Sequence, residues 1–139
     1  MLMRKLIFFI LIILAADSLY SQGANFVWAK QMAAGSNADY GWCVKADGLG
    51  NVYSTGAFKG TVDFDPGPGV YNLTSASANL YDIYISKSDA NGNLIWAKKI
   101  GGTGTDESRT LIIDAANNIL ITGVFNSTVD FDPGPGTFN

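Results

Sequence analysis

The chain has 139 residues, with nine Lys or Arg, twelve Asp or Glu and no His, so its formal net charge is −3 at pH 7. An acidic chain is unsuited to nucleic acid, whose phosphates need a basic face. Without His the usual catalytic triads and the common zinc sites are excluded. A single Cys, Cys43, rules out a disulfide within the chain. We expect Cys43 to be a small buried hydrophobe, with an intermolecular disulfide as the alternative.

The N-terminus has the composition of a targeting segment. Arg4 and Lys5 precede an apolar run at 6–16, which polar and small residues follow. This order predicts a secretory signal peptide over residues 1–21, cleaved near Ser21/Gln22. The apolar run is shorter than the roughly 20 residues that a membrane-spanning helix needs. We therefore expect a secreted or outer-surface protein with no membrane span after signal cleavage.

The predicted strands are taken in chain order. A leading strand is expected at 26–32, with Phe26, Trp28 and Met32 on one face. Four main strands then begin at Trp42, Val52, Asp82 and Leu94, with a hairpin-like insertion at 61–80, and the first two recur at 109–113 and 119–125. Tight turns are predicted between them, and Asn91-Gly92 is the strongest hairpin signal. Gly56 and Gly123, at equivalent places within strands, predict a bulge or the close approach of another backbone.

An internal repeat organises this pattern. The sequence Thr-Val-Asp-Phe-Asp-Pro-Gly-Pro-Gly occurs at 61–69 and again 67 residues later, at 128–136; we call these copies the first and second signatures. Alignment of 47–72 with 114–139 gives 15 identities in 26 positions without a gap. Such a match indicates duplication, in which each copy is one supersecondary unit.

Four strands in a meander form one blade of a β-propeller. We therefore predict an all-β fold of antiparallel four-stranded blades, about one and a half repeats of an incomplete propeller. Residues 22–41 are the leading strand and loop, 42–100 the first full blade with its insertion, and 101–139 a truncated second blade. The leading strand corresponds to the fourth strand of a blade. It would latch a complete ring shut, and here we expect it unpaired or packed opportunistically.

A family resemblance supports this interpretation. The chain contains, in this order, Trp-Ala-Lys at 28–30, a Gly-rich loop, the run from Asp47 to Phe58, the run from Asp82 to Asn93 and a second Trp-Ala-Lys at 96–98. This pattern resembles the SBBP-type β-propeller repeat of secreted bacterial proteins. The resemblance covers nearly all of 26–139 and implies a propeller domain on an exported or cell-surface protein. Such proteins often use the type IX secretion route with a C-terminal sorting domain, which is not visible in this chain. The resemblance implies no catalytic residues.

Propellers close with about four to eight blades. We therefore expect this chain to be the N-terminal fragment of a longer protein, because repeat arrays need atypical ends that cover their exposed faces. The alternative is a short protein that oligomerises to complete a ring.

Two carboxylates in each signature are candidate metal ligands. Asp63 and Asp65, and likewise Asp130 and Asp132, are spaced by two and project from one face of an extended strand. With further ligands they could hold Ca²⁺, which takes six to eight oxygens. The favoured alternative is that these side chains cap the turn through bonds to the backbone. No other cofactor is expected.

The sequence favours a scaffold or binding module without catalysis of its own, whose partner is an unknown protein or glycan at the cell surface. The second hypothesis is a carbohydrate-binding or carbohydrate-active secreted protein whose active part lies beyond the C-terminus. Trp28 and Trp96 occupy equivalent positions. We expect them to fill the gap between blades, and the alternative is a stacking platform for sugars.

Overall fold

The computed structural model describes residues 26–32 and 38–139, and these contain nine β-strands and no helix. The strands are β1 (Tyr40–Ala46), β2 (Val52–Phe58), β3 (Thr61–Asp63), β4 (Asn72–Thr74), β5 (Asp82–Ser88), β6 (Leu94–Gly102), β7 (Glu107–Ile113), β8 (Ile119–Val124) and β9 (Val129–Asp130). The predicted signal peptide, 1–21, lies outside the described residues. Within the described ranges, no helix is long and apolar enough to cross a bilayer.

The four predicted main strands form one antiparallel meander, β1-β2-β5-β6, which we call the first blade. Within the predicted insertion, β3 pairs with β4 as a hairpin beside this sheet. β2 lies in the interior of the meander, and five of its seven residues are buried. Because both faces of β2 are covered, apolar residues occur on both, as the sequence predicted. The all-β class and the four-stranded blade are thus confirmed.

The second repeat reproduces the start of the first in register. β7 pairs with β8 as β1 pairs with β2, and Ser108↔Gly123 corresponds to Gly41↔Gly56 at the 67-residue offset. In both β1 and β7 the pairing register shifts at the equivalent place, immediately after Gly41 and Ser108 respectively. β9, in the second signature, pairs instead with the end of β6. The second repeat is therefore attached to the first blade through main-chain hydrogen bonds.

The core lies between the first blade and the first signature. Its buried members are Phe58, Val62, Phe64, Tyr84 and Ala97, with Met32, Leu73 and Leu94 packed against them. Phe58 and Phe64 meet edge to face, with ring centroids 5.3 Å apart. Full burial of one such side chain stabilises a fold by about 1.5–3 kcal/mol. Val62 and Phe64 of the first signature are consequently part of the hydrophobic core, whereas its turn at 67–69 is exposed.

The two mid-strand glycines have the role that the sequence predicted. A Cβ at Gly56 would overlap the carbonyl oxygen of Tyr40, and a Cβ at Gly123 would overlap that of Glu107. Both contacts lie beside the irregularity in the preceding strand, where the two backbones come closest. The glycines are therefore required by close backbone approach.

The leading segment packs against the first blade without joining a sheet, which is the opportunistic packing expected for it. Residues 26–32 belong to none of the sheets formed by the described residues, and Phe26 is largely exposed. A fourth blade strand pairs with a third strand, and the third strand of the first blade, β5, already pairs with β2 and β6. The segment instead lies against the first blade: the Trp28 indole N–H donates to Ala90 O at 2.9 Å, and Met32 packs on the core.

Candidate functional site

The first signature is a loop held by its own carboxylates. Asp63 Oδ1 accepts from the backbone N–H groups of Asp65 at 2.9 Å and Tyr71 at 2.8 Å. Asp65 Oδ1 accepts from Gly67 N at 2.8 Å. The N–H donors from Tyr71 and Asp65 lower the pKa of Asp63. Ionised carboxylates are strong acceptors for such donors, so the two Asp residues fix the shape of the turn.

The second signature repeats this geometry almost bond for bond. Asp130 Oδ1 accepts from Asp132 N and Phe138 N, both at 2.9 Å, and Asp132 Oδ1 accepts from Gly134 N at 2.7 Å. The N–H donors from Phe138 and Asp132 lower the pKa of Asp130. The four predicted metal candidates therefore share one observed role, that of turn acceptors.

Calcium binding by these residues stays a prediction. In the described part of the chain, no group of three or more His, Cys, Asp or Glu side chains is arranged to hold a metal ion. Each signature supplies two carboxylates, and both already accept backbone N–H groups. The observed bonds correspond to the turn-capping alternative weighed from the sequence.

A cleft of about 430 Å³ lies where the first hairpin and the second signature approach β6. β6 contributes Ala97, Lys98, Lys99 and Gly101, the first hairpin contributes Tyr71 and Leu73, and the second signature contributes Asp130, Asp132 and residues 133–135. We call it the signature cleft. It combines an aromatic ring, prolines, two lysines and two carboxylates, so it offers both apolar contact and charge of each sign.

The polar groups of the signature cleft are positioned by the first blade. The Tyr71 hydroxyl donates to Ala97 O at 3.1 Å, which holds the ring against β6. Lys99 Nζ lies 3.1 Å from Asp82 Oδ2, and the Asp82 side chain is fully buried. Burial raises the pKa of Asp82, although Ala76 N and Lys99 both donate to it. Lys99, which lines the cleft, is thus held by an ion pair with the buried carboxylate of Asp82.

Sequence reasoning missed the buried acids. Asp82 and Asp106 are both fully buried, and Asp106 accepts from Gly102 N and Asn126 N where the chain passes from the first blade to the second repeat. Asp82 Oδ1 has no hydrogen-bond partner among the described residues. Nothing in the pattern distinguished Asp82 from a surface acid. Asp106 had a signal, because it is the counterpart of Asp39 at the repeat offset, and the bond from Asn126 N to Asp106 repeats the bond from Lys59 N to Asp39.

A second missed feature had a signal in the sequence. Three turns use Asp and, four residues later, Asn: Asp47 with Asn51, Asp89 with Asn93 and Asp114 with Asn118. In each turn one carboxylate oxygen accepts backbone N–H groups and the other accepts the Asn side-chain amide. The constant spacing would have predicted these Asp-centred turns.

The remaining candidates are half-buried. Trp96 packs edge-on against Tyr53 of its own sheet, with ring centroids 6.4 Å apart. Cys43 is free and half-buried, not fully buried as expected, and its sulfur lies 3.6 Å from Thr110 Oγ1 between β1 and β7. Both side chains have structural neighbours inside the protein.

Comparison with known proteins gives a related repeat protein. No family model and no solved structure matches the chain. The chain is 28% identical over 122 residues to an uncharacterized WD repeat-containing protein of Acanthamoeba polyphaga mimivirus. That match covers 78% of this chain but 9% of the viral protein's length. With the antiparallel blade already described, the similarity indicates a repeat protein of the propeller type.

Proposed function

We propose that this chain is an exported scaffold of SBBP-type propeller blades, which binds a surface protein or glycan at blade junctions and catalyses no reaction. The signature cleft is the observation that carries the proposal. It is built from residues that follow the first signature, from β6 and from the second signature, so each blade junction of a longer array would repeat it. Clefts that combine apolar walls with a few polar groups are the usual ligand sites of proteins.

The packing between the repeats supports a rigid scaffold. Thr55 Oγ1 on β2 donates to Tyr84 O at 2.7 Å and lies 2.9 Å from Ser108 Oγ on β7, and all three residues are buried. Arg109 lies over the Trp42 ring at 5.0 Å, so equivalent residues of the two repeats stack on one another. A cleft between units fixed in this way keeps its shape, which lowers the entropic cost of binding.

Binding is tested with a glycan array and a panel of surface-protein peptides, using the full chain. Tyr71→Phe removes the hydroxyl that bonds to Ala97, and Tyr71→Ala removes the ring; Leu49→Ser, in an exposed turn, is the matched control. We expect specific binding that Tyr71→Ala abolishes and Leu49→Ser leaves unchanged. Binding that ignores Tyr71 would contradict the cleft as the site.

Substitution of Trp96 distinguishes the carbohydrate-binding alternative from the proposed function. Binding of a glycan that is lost in Trp96→Ala, with the β-sheet circular dichroism spectrum retained, would favour a sugar-stacking role. We expect the half-buried, Tyr53-packed indole to affect stability and not glycan binding.

Export is tested independently. Residues 1–21 have the order of charged, apolar and small residues found in secretory signals. We expect protein recovered outside an expressing bacterium to begin near Gln22 on N-terminal sequencing. An uncleaved chain retained in the cytoplasm would contradict export while leaving the cleft proposal standing.

Calcium is tested by calorimetry on the full chain, with Asp63→Asn/Asp65→Asn as the variant, and an absence of binding heat in the parent would remove the metal prediction.

A further inference from the structure

The turn at 89–93, between β5 and β6, contains an asparagine whose side chain is exposed. In all three Asp-centred turns the asparagine in the fifth position is held by the Asp carboxylate, with Nδ2–Oδ2 distances between 2.8 and 2.9 Å. Asn91, in the third position, donates its backbone N–H to Asp89 Oδ1 at 2.8 Å. Its side-chain amide has no partner within the described residues and lies in solvent. The amide carbon of Asn91 is therefore open to attack.

The residue after Asn91 supplies a nitrogen that can attack this carbon. Asn91 is the one asparagine in the sequence that a glycine follows. Gly92 has a φ of 79° and no Cβ, so its backbone nitrogen can approach the Asn91 side chain without a steric barrier. The fifth-position asparagines each precede a branched aliphatic residue, whose side chain crowds the corresponding nitrogen. These following residues are Val52, Leu94 and Ile119.

The leading segment covers this turn. The Trp28 indole N–H donates to Ala90 O at 2.9 Å. Gly92 is buried, and a Cβ on it would lie 3.0 Å from Trp28 Cδ2. Gly92 N also donates to Asp89 O at 3.0 Å, so this nitrogen is engaged while the turn is closed. The nitrogen can react only when the turn opens locally, and the contact with Trp28 opposes that opening.

We propose that Asn91–Gly92 is a site of spontaneous covalent modification, in which Asn91 loses ammonia and becomes isoaspartate or aspartate. Gly92 N attacks Asn91 Cγ and forms the N–Cγ bond of a cyclic succinimide. The Cγ–Nδ2 bond breaks, and ammonia leaves with the proton from Gly92 N. Water then opens the ring at either carbonyl carbon, and no other reactant is consumed. The inference goes beyond the proposed function, and its failure would leave export and the signature cleft unaffected.

The modification changes the surface on which the leading segment rests. Ring opening at the main-chain carbonyl carbon of residue 91 routes the backbone through Cβ and lengthens the turn. The N–H groups of Gly92 and Asn93 can then no longer both reach Asp89, to which they donate in the unmodified turn. Ala90 O and Gly92, the two contacts of Trp28, move with the turn. We expect isoaspartate at position 91 to release residues 26–32 from the first blade.

The site is tested by ageing the full chain at mildly alkaline pH, which promotes attack by a backbone nitrogen. Peptide mass spectrometry with fragmentation that distinguishes isoaspartate from aspartate should find ammonia loss at Asn91 and not at Asn93. Trp28→Ala should raise the rate by about two- to tenfold, the effect of one hydrogen bond on an opening equilibrium. Trp28→Phe keeps a ring over Gly92 without the indole N–H, so its rate should be intermediate.

The turn at 47–51 provides the matched control. Leu49 and Gly50 occupy the positions of Asn91 and Gly92, Gly50 has a φ of 82°, and Leu49 is 84% exposed. Leu49→Asn should therefore create a second site of ammonia loss, whose rate Trp28→Ala leaves unchanged. The aged parent should exchange hydrogen faster over 26–32 than an aged Asn91→Ala chain. An Asn91 that stays intact in the folded chain but reacts in urea, or a rate that ignores Trp28→Ala, would overturn the proposal.

Discussion

The two repeats share their local geometry but differ in burial. β2 and β8 have equivalent sequences, registers and close-approach glycines, yet Phe58 is fully buried and its counterpart Phe125 is 56% exposed. The signature turns and the edge-to-face phenylalanine pairs are nevertheless alike. Turn geometry is therefore set by bonds within each repeat, whereas the core depends on the neighbouring strands β5 and β6.

The largest difference is expected at the equivalent phenylalanines. Phe58→Ala should lower the free energy of unfolding by about 3–5 kcal/mol, because it leaves a cavity in the core. Phe125→Ala should cost less than about 1 kcal/mol, because that ring is half exposed. Urea unfolding followed by tryptophan fluorescence measures both. Equal losses would mean that the second repeat is as well packed as the first.

A smaller difference is expected at the equivalent threonines. Thr55→Val removes a hydroxyl that bonds to Tyr84 O and leaves that carbonyl and Ser108 short of a partner. We expect a loss of about 1–3 kcal/mol, the usual cost of an unsatisfied buried polar group. The exposed counterpart Thr122→Val is the control and should change stability little. The comparison fails if both variants unfold at the same urea concentration.

A substitution at a residue with positive φ is expected to stabilise the folded chain. Gly60 and Ser127 are equivalent, and both have positive φ, 72° and 64°. Serine is disfavoured there, so Ser127→Gly should raise stability by about 0.5–1 kcal/mol. Gly60→Ser is the reverse change and should lower it. Thermal unfolding of the two variants measures the signs, and a destabilising Ser127→Gly would show that the serine side chain makes a needed contact.

The smallest effect is a dependence on pH. Acceptance of hydrogen bonds from Asn51 and Asn118 lowers the pKa of Asp47 and Asp114 respectively. A folded pKa below the unfolded value gives stability that is present at neutral pH and is lost as the pH falls through the acidic range. Asp82, whose pKa is raised by burial, acts in the opposite direction and becomes less favourable as the pH rises.

This dependence is tested with Asp47→Asn and Asp114→Asn. Each variant should reduce the slope of stability against pH between about pH 5 and pH 2, since one titrating group is removed. Urea midpoints across that range provide the slope. Unchanged slopes in both variants would mean that these carboxylates have ordinary pKa values in the folded chain.

Much of the blade could be predicted from the sequence, because strand alternation, turn residues and the repeat are local patterns. The starts of β2, β5 and β6 and the roles of Gly56 and Gly123 follow from such patterns. The leading segment at 26–32 could not be placed in this way. Its strand-like alternation is real, but pairing depends on a free partner strand, which is a property of the whole sheet.

The candidate site shows the same contrast between local features, which the sequence predicts, and features that depend on the whole fold. The turn-capping role of Asp63 and Asp130 was among the alternatives that the sequence offered, because an Asp before a Pro-Gly turn acts over a few residues. The signature cleft was not predicted, since β6 brings Tyr71 together with residues 130–135 of the second signature, which lie far along the chain. Nor was the Lys99–Asp82 pair, which depends on which acid the fold buries.

The pairing of β9 with β6 means that the period counted along the chain and the unit that folds are out of phase. The sheet of the first blade takes its outermost strand, β9, from the sequence of the second repeat. Duplication or deletion of whole periods preserves every such junction, whereas an exchange that separates a signature from its upstream blade leaves one edge bare. Arrays of this type can therefore change length during evolution in steps of one period, because the existing contacts at the junctions between repeats are kept.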